Sequence, residues 1–262
     1  STRVRSSAAS DVYKRQILIC ITFVIYLQIQ LAQKRDLGIK RENLISFPVT
    51  AELYNSSSAV QNELMNTGMV ASSGFSSSPL LKSYLGTNPW YWNGKDPDDD
   101  TSVFFNFVSD GLIDAAGIKL IDGTDIDPAK KNDEGSRGVL INETLAKRMR
   151  KEGRVGGKIG QSPDDKWEIV GIMKDFVFED LYAIRPGSVL FYYGPKRTNY
   201  LFVRLKSDVD AAEAIVRIQA VLRSFTPYHA FEPTFMTERF DRMFEDEHLV
   251  EKLSALFAAL AI

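Results

Sequence analysis

Two apolar runs bracket this chain and leave one long stretch between them in which a core can form. Residues 17–29, "ILICITFVIYLQI", are broken only by Thr22 and Gln28, and residues 253–262, "LSALFAALAI", are apolar and rich in small side chains. A spanning helix needs roughly 20 apolar residues, so each run reads as a truncated membrane helix. No A-x-A-like cleavage site follows the first run, and bulky Ile19 precedes Cys20, which argues against secretory and lipoprotein signals. Residues 1–16, "STRVRSSAASDVYKRQ", are polar and aperiodic and read as a non-native leader. The expected plan is an extramembrane domain of about 200 residues, large enough for a sizeable core, with residues 17–42 as span and stalk. At the other end, residues 237–262 are expected to form a stalk helix running without a break into the second span.

Between the runs, short apolar segments alternate with helical ones. "NLISFPV" (43–49) and "MVASSGF" (69–75) read as strands flanking a helix over 58–68, with Val60, Leu64 and Met65 on one face and Gly68 as its stop. The Ser-, Pro- and Gly-rich segment 72–100, with "NPWYWNG" and "DPDDD", reads as a subdomain boundary. Strands are then expected over 102–109, 138–141 and the "WEIVGIMKDFVF" stretch. Asn142 is a good N-cap for a helix that stops at Gly153. "VLFYY" and "YLFVRLK" are further strands, and "DVDAAEAIVRIQAVLRSF" is an amphipathic helix with Ile215, Ile218, Leu222 and Phe225 on one stripe. "HAFEPTFM" is the last strand. The fold class expected is α+β. A split βαβ, porter-like (ferredoxin-like) subdomain comes from residues 43–75 and 198–236, and a smaller α/β subdomain, residues 76–197, is inserted between its halves.

The chemistry on offer is sparse. With net charge −2 and a pI of about 5.8, no basic field favours nucleic acid. A single cysteine, Cys20, excludes an intramolecular disulfide and a cysteine-based zinc cluster. Glu245 and His248 have a metal-compatible spacing that di-iron bundles use twice but that occurs once here. His229 sits in a turn with no ligand partner spaced nearby. Asp96, Asp98, Asp99 and Asp100, like Asp122, Asp125 and Asp127, lack the calcium-loop spacing and read as solvated loops. G-x-S-x-G, P-loop and G-x-G-x-x-G motifs are absent. No catalytic residue, cofactor site or metal site is expected.

Lys174 and Asp175, adjacent and opposite in charge, are the sharpest feature. In a strand they would point to opposite faces, so they do not make one compact acid–base site. Asp175 would share a face with Ile169, Met173 and Val177, where a carboxylate must be hydrogen-bonded. Anchoring of a neighbouring loop is the reading favoured over catalysis. Trp90, Tyr91 and Trp92 cannot all be buried easily in a loop, and they are candidates for subdomain packing or for a partner contact.

The ordered set "KRDLGIKRENLISFPV", "AAGIKLIDGTDI", "VLINETLAKRM", "VGGKI", "WEIVGIMKDFVFEDLYAIRP", "YLFVRLK" and "FEPTFMTERFDRMFEDEHLVEKLSALFAALAI" resembles the periplasmic core domain of MacB/FtsX-type ABC-transporter permeases, in the versions common in Bacteroidota. The resemblance covers nearly everything from residue 17 onward, loosely over 72–103, and departs from the family where Thr124 replaces a usual arginine. It implies structural signature positions at Gly123, Asn142, Glu143, Gly156, Lys158, Gly171, Lys174, Asp175, Phe176 and Pro186. It also implies a domain on the periplasmic side of a bacterial inner membrane, coupled to an ABC ATP-binding subunit. A periplasmic adaptor, a peptide or lipoprotein substrate, and a permease dimer are the partners such a domain would have. The rival expectation is a ligand-sensing domain of a membrane receptor, with a membrane-anchored hydrolase third.

Overall fold

A computed structural model describes residues 2–81, 85–87, 90–100, 102–127, 129, 138–164, 166–178, 187–194, 197–245, 249, 252–253 and 256. Residues Leu37–Thr237 form one compact unit, and Ser1–Asp36 with Glu238–Ile262 form another.

In the larger unit, β1 (Leu44–Pro48) leads through the short helix α2 (Ala51–Asn55) into α3 (Ser57–Asn66) and then β2 (Val70–Ser76). Late in the chain, β10 (Tyr200–Leu205) leads through α6 (Ala211–Phe225) to β11 (Thr234–Phe235). The four strands lie in the order β11-β1-β10-β2, every neighbouring pair antiparallel. That is the split βαβ arrangement: each half-motif leaves room for one strand of the other. Helix α6 forms because Ala, Ile and Leu recur at helical spacing behind Asp210, whose carboxylate caps it by accepting from Glu213 N at 2.8 Å. Its buried stripe, Ala214, Ile218 and Leu222, joins Val60 and Leu64 of α3 and Phe47, Phe75, Leu201 and Val203 of the strands in one apolar cluster. Met65, expected on the buried face of α3, is exposed instead; the buried residues of this helix are Ser57, Val60 and Leu64.

The intervening strands extend the same sheet. They are β3 (Leu85–Thr87), β4 (Val103–Val108), β5 (Leu120–Gly123), β6 (Val139–Asn142), β7 (Lys158–Gly160), β8 (Lys166–Met173) and β9 (Val189–Tyr193). The order continues β2-β4-β9-β6-β8-β5, with β4–β9 and β6–β8 parallel. Between β4 and β5 runs α4 (Leu112–Ala116), and after β6 runs α5 (Glu143–Met149). The β2–β4 seam is a single ladder pair, Ser76 with Val108. Buried Asn106 reinforces it by donating to Ser76 Oγ (2.9 Å) and accepting from Ser77 Oγ (2.6 Å). A second apolar cluster lies on this side, with Trp90, Val103, Ile141, Leu145, Ile169 and Leu190 among its members.

The smaller unit holds α1 (Thr2–Lys34), so the polar leader is helical and continuous with the apolar run. Among the described residues no helix is long and apolar enough to cross a membrane. The helix expected to run unbroken from residue 237 is interrupted. Helix α7 spans Met236–Arg242, and Met243 and Phe244 form a turn in which their N–H groups bond three residues back, to Phe240 and Asp241. Such tightening commonly ends an α-helix.

Candidate functional site

Strand β6 ends at Asn142, which is fully buried and starts helix α5. Its Oδ1 accepts from Leu145 N (3.1 Å), capping the helix, and from Val189 N (2.9 Å) at the start of β9. Its Nδ2 donates to Gly187 O (2.9 Å) and to Asp175 Oδ1 (2.6 Å). One amide thereby uses both donors and both lone pairs. Asp175 completes the junction, accepting from Thr144 N at Oδ1 (3.0 Å) and from Thr144 Oγ1 at Oδ2 (2.9 Å), while its own N–H donates to Glu143 Oε2 (3.3 Å). Asp175 therefore fastens the first turn of α5, and its two oxygens already take three donors.

We expect Asp175→Ala to destabilise the chain by roughly 1–3 kcal/mol, because buried Asn142 and half-buried Thr144 lose an acceptor. Asp175→Asn should lose clearly less, since its carbonyl still accepts and its amide faces a hydroxyl that can accept. Urea melts that do not distinguish Asp175→Ala from the parent would show that the carboxylate anchors nothing.

Neither member of the Lys174–Asp175 pair lies on strand β8. The strand ends at Met173, where its partners Leu120 of β5 and Asn142 of β6 also leave the sheet. The expected sharing of a strand face by Asp175, Ile169 and Met173 does not occur. The Lys174 side chain is exposed, so it is not a buried fixture; only its N–H is held, by Lys119 O at 2.7 Å.

The same post-strand segment binds the residues that follow α1 in sequence. Leu37 O accepts from Val177 N (2.8 Å), and Lys40 N donates to Ala116 O (2.9 Å) at the end of α4. Gly38 adopts a positive φ of 70°, and a Cβ there would lie 2.7 Å from Asp175 O and 2.9 Å from Phe176 Cβ. Phe176 is buried and packs on Phe178 and Phe191, ring centroids 5.8 and 5.6 Å apart. Arg204 of β10 closes the clamp by donating to three backbone carbonyls, Ala115 (Nε, 2.7 Å), Glu42 (2.8 Å) and Lys40 (2.7 Å). Burial pulls its pKa below the ordinary arginine value, opposed by the nearby Glu42 charge.

The structure thus brings Asn142, Glu143, Asp175 and Phe176 together. Gly123 and Gly171 form a separate close approach, where β5 pairs with β8 and a Cβ on either would collide with backbone of the other strand's flank. Gly156, with φ of 81°, makes the turn before β7, on which Lys158 is exposed. Pro186 lies outside the described residues. Thr144, Gly38 and Arg204 were not expected from the sequence. Of these, Arg204 left a signal, a lone cation in an otherwise apolar strand.

Of the two readings of the aromatic triplet, packing holds for Trp90 and Trp92, which are 1% and 6% exposed and belong to the core. Tyr91 pairs with Gly160 by two backbone bonds (2.8 and 3.0 Å), and extended geometry sends its two neighbours to one side. Asp125 is not a solvated loop residue. Its oxygens accept from Gly111 N (3.1 Å) and Ile126 N (2.7 Å), and burial raises its pKa to about 6 despite those bonds, with Asp114 and Asp110 adding to the rise. Asp110 is raised as well, chiefly by burial. Among the described residues no group of three or more His, Cys, Asp and Glu is arranged to hold a metal ion.

A raised carboxylate binds its proton more tightly folded than unfolded, so folding stability falls as pH rises from the unfolded value of 3.8 through about 6. Asp125→Asn should remove roughly 2 kcal/mol of that decline between pH 4 and 7. Urea melts across this range give the slope; equal slopes in parent and variant would rule out Asp125 as its source.

Residues 26–221 match the family model described as MacB-like periplasmic core domain. The periplasmic region of MacB from Actinobacillus actinomycetemcomitans superposes with a TM-score of 0.52 at 14% identity, over 82% of this chain and 98% of that one. The extracellular domain of the noncanonic ABC-type transporter YknZ from Gram-positive bacteria gives 0.45 at 16% identity, over 73% of this chain and 100% of that one. The comparison with curated proteins returned no match. The match over residues 26–221 decides the matter: the chain belongs to the MacB-like periplasmic core domain family, the extracytoplasmic domain of ABC-transporter permeases.

Proposed function

We propose that this domain is a mechanical coupling element of its permease, receiving motion through residues 37–42 and passing it into the sheet. In this family ATP hydrolysis belongs to a separate subunit, so the domain's task is to respond to a cycle that occurs elsewhere. The observation that carries the reading is the clamp on residues 37–42. Three independent parts of the domain hold them: α4 through Ala116 O, the post-β8 segment through Val177 N, and β10 through Arg204. A segment so tied cannot shift without dragging the sheet at β10 and the α5 junction at Asp175, and packed interfaces of this kind move as bodies.

On this reading the signature positions Gly123, Asn142, Glu143, Gly156, Lys158, Gly171, Lys174, Asp175, Phe176 and Pro186 serve geometry rather than catalysis. The domain divides in function into the split βαβ part (43–75 and 198–236) and the inserted part (76–197), each with its own apolar cluster. The event being driven is handling of a substrate or an adaptor outside the cytoplasm, by a permease that works as a dimer.

Hydrogen exchange in the intact transporter, reconstituted with its ATPase subunit, tests the coupling. ATP turnover is expected to change exchange at the amides of residues 37–42 and of 174–178 together, and Arg204→Ala to weaken the accompanying response in β10 while leaving ATP hydrolysis intact. Exchange in both segments that ignores nucleotide would rule the reading out.

A further inference from the structure

A cavity of about 560 Å³ opens in the larger unit, away from the α5 junction, and its size falls within the range of small-molecule sites. One side is a continuous run of aromatic rings. Phe107 meets Tyr192 edge-on at 5.7 Å, Tyr192 meets Trp167 at 4.7 Å, and Trp167 meets Trp90 at 5.9 Å. Such a surface favours a flat, apolar guest, because ring stacking and edge contacts add to the area removed from water.

Arg197 gives the cavity its chemical sign. Arg197 is exposed at its rim, and its guanidinium carbon lies 4.9 Å from the Phe107 ring centroid, so the cation is held against the aromatic wall. Among the described residues it has no carboxylate partner, and no described Asp or Glu lines the cavity. Among its described lining residues the cavity thus has an aromatic wall, one cation, no anion, and Asn55, Ser57 and Gln161 as neutral polar groups.

We propose that this cavity binds a small aromatic carboxylate, its ring system against Phe107, Tyr192 and Trp167 and its carboxylate on Arg197. The fork of guanidinium donors matches a carboxylate in two parallel bonds, which a neutral polar group does not reproduce.

Isothermal titration of the full chain with naphthalene-2-carboxylate tests this directly, with naphthalene-2-methanol as the neutral counterpart and decanoate as the non-aromatic carboxylate. The expected result is saturable binding of the aromatic carboxylate, at least tenfold tighter than either comparison compound. Arg197→Ala, a change at an exposed position, should weaken the aromatic carboxylate about tenfold or more and leave the alcohol unchanged. Phe107→Leu should weaken the aromatic carboxylate in a chain that still melts cooperatively. The proposal is overturned if the carboxylate fails to bind at millimolar concentration. It is equally overturned if the alcohol or decanoate binds as well, or if Arg197→Ala binds like the parent.

Discussion

Asn142→Ala should lower the stability of the chain by about 3–4 kcal/mol, the largest loss expected from any single polar side chain here. The truncation strands four groups at once. Leu145 N and Val189 N lose their acceptor, and Gly187 O and the Asp175 carboxylate lose a donor, around a residue that is 0% exposed. Leaving a buried polar group without a partner costs about 1–3 kcal/mol, and neighbouring losses do not add in full because the site relaxes. Asn142→Asp should fare little better despite its size. It keeps the two acceptor contacts but aims a second carboxylate at Asp175 Oδ1 and at Gly187 O, where two donors are required. Urea unfolding with an unchanged slope and a lowered midpoint is the readout. A loss below about 1 kcal/mol for Asn142→Ala would mean that α5 and β9 hold their positions without this amide.

The framework of this fold is legible in the sequence because local patterns dictate it. Asn142 before an apolar-periodic run, Gly117 in left-handed conformation after α4, and the stripe of α6 are signals that need no distant partner. The split βαβ plan follows from the same grammar. The clamp on residues 37–42 is different in kind. Its acceptors are main-chain carbonyls, lying 89 to 164 positions from Arg204, and a carbonyl leaves no trace in residue identity. The end of β8 was hidden for a related reason. The apolar alternation in "GIMKDFVF" continues past Met173, but the ladder stops because β5 begins and β6 ends opposite that residue. Period alone reports which face a residue would occupy, not whether a neighbouring strand is there to pair with it. The aromatic triplet shows the converse. Three bulky residues in a Pro- and Gly-rich loop leave both packing and display open, and a single bridge between Tyr91 and Gly160 turns Trp90 and Trp92 into core.

Arg204→Ala is the second large effect, an expected loss of about 2–4 kcal/mol with a local signature that Asn142→Ala lacks. Three carbonyls, on Ala115, Glu42 and Lys40, lose a charged donor together, and hydrogen bonds to charged groups are worth about twice those between neutral ones. Arg204→Lys should recover only a minor part. The carbonyls belong to two different segments and meet three different nitrogens of one planar fork, whereas an ammonium on a flexible stem presents a single point. Because the cation joins β10 to residues 37–42, the damage should appear first as faster hydrogen exchange at the Lys40 and Val177 amides, whose bonds to Ala116 O and Leu37 O close the same clamp. Exchange at the α6 amides, which belong to the opposite apolar cluster, should rise only as far as the global loss requires. If Arg204→Ala melts like the parent and the Lys40 amide keeps its protection, residues 37–42 are held by α4 and the post-β8 segment alone. Motion entering there would then reach β10 through β1, which follows residue 42 in the chain and pairs with β10 along its length.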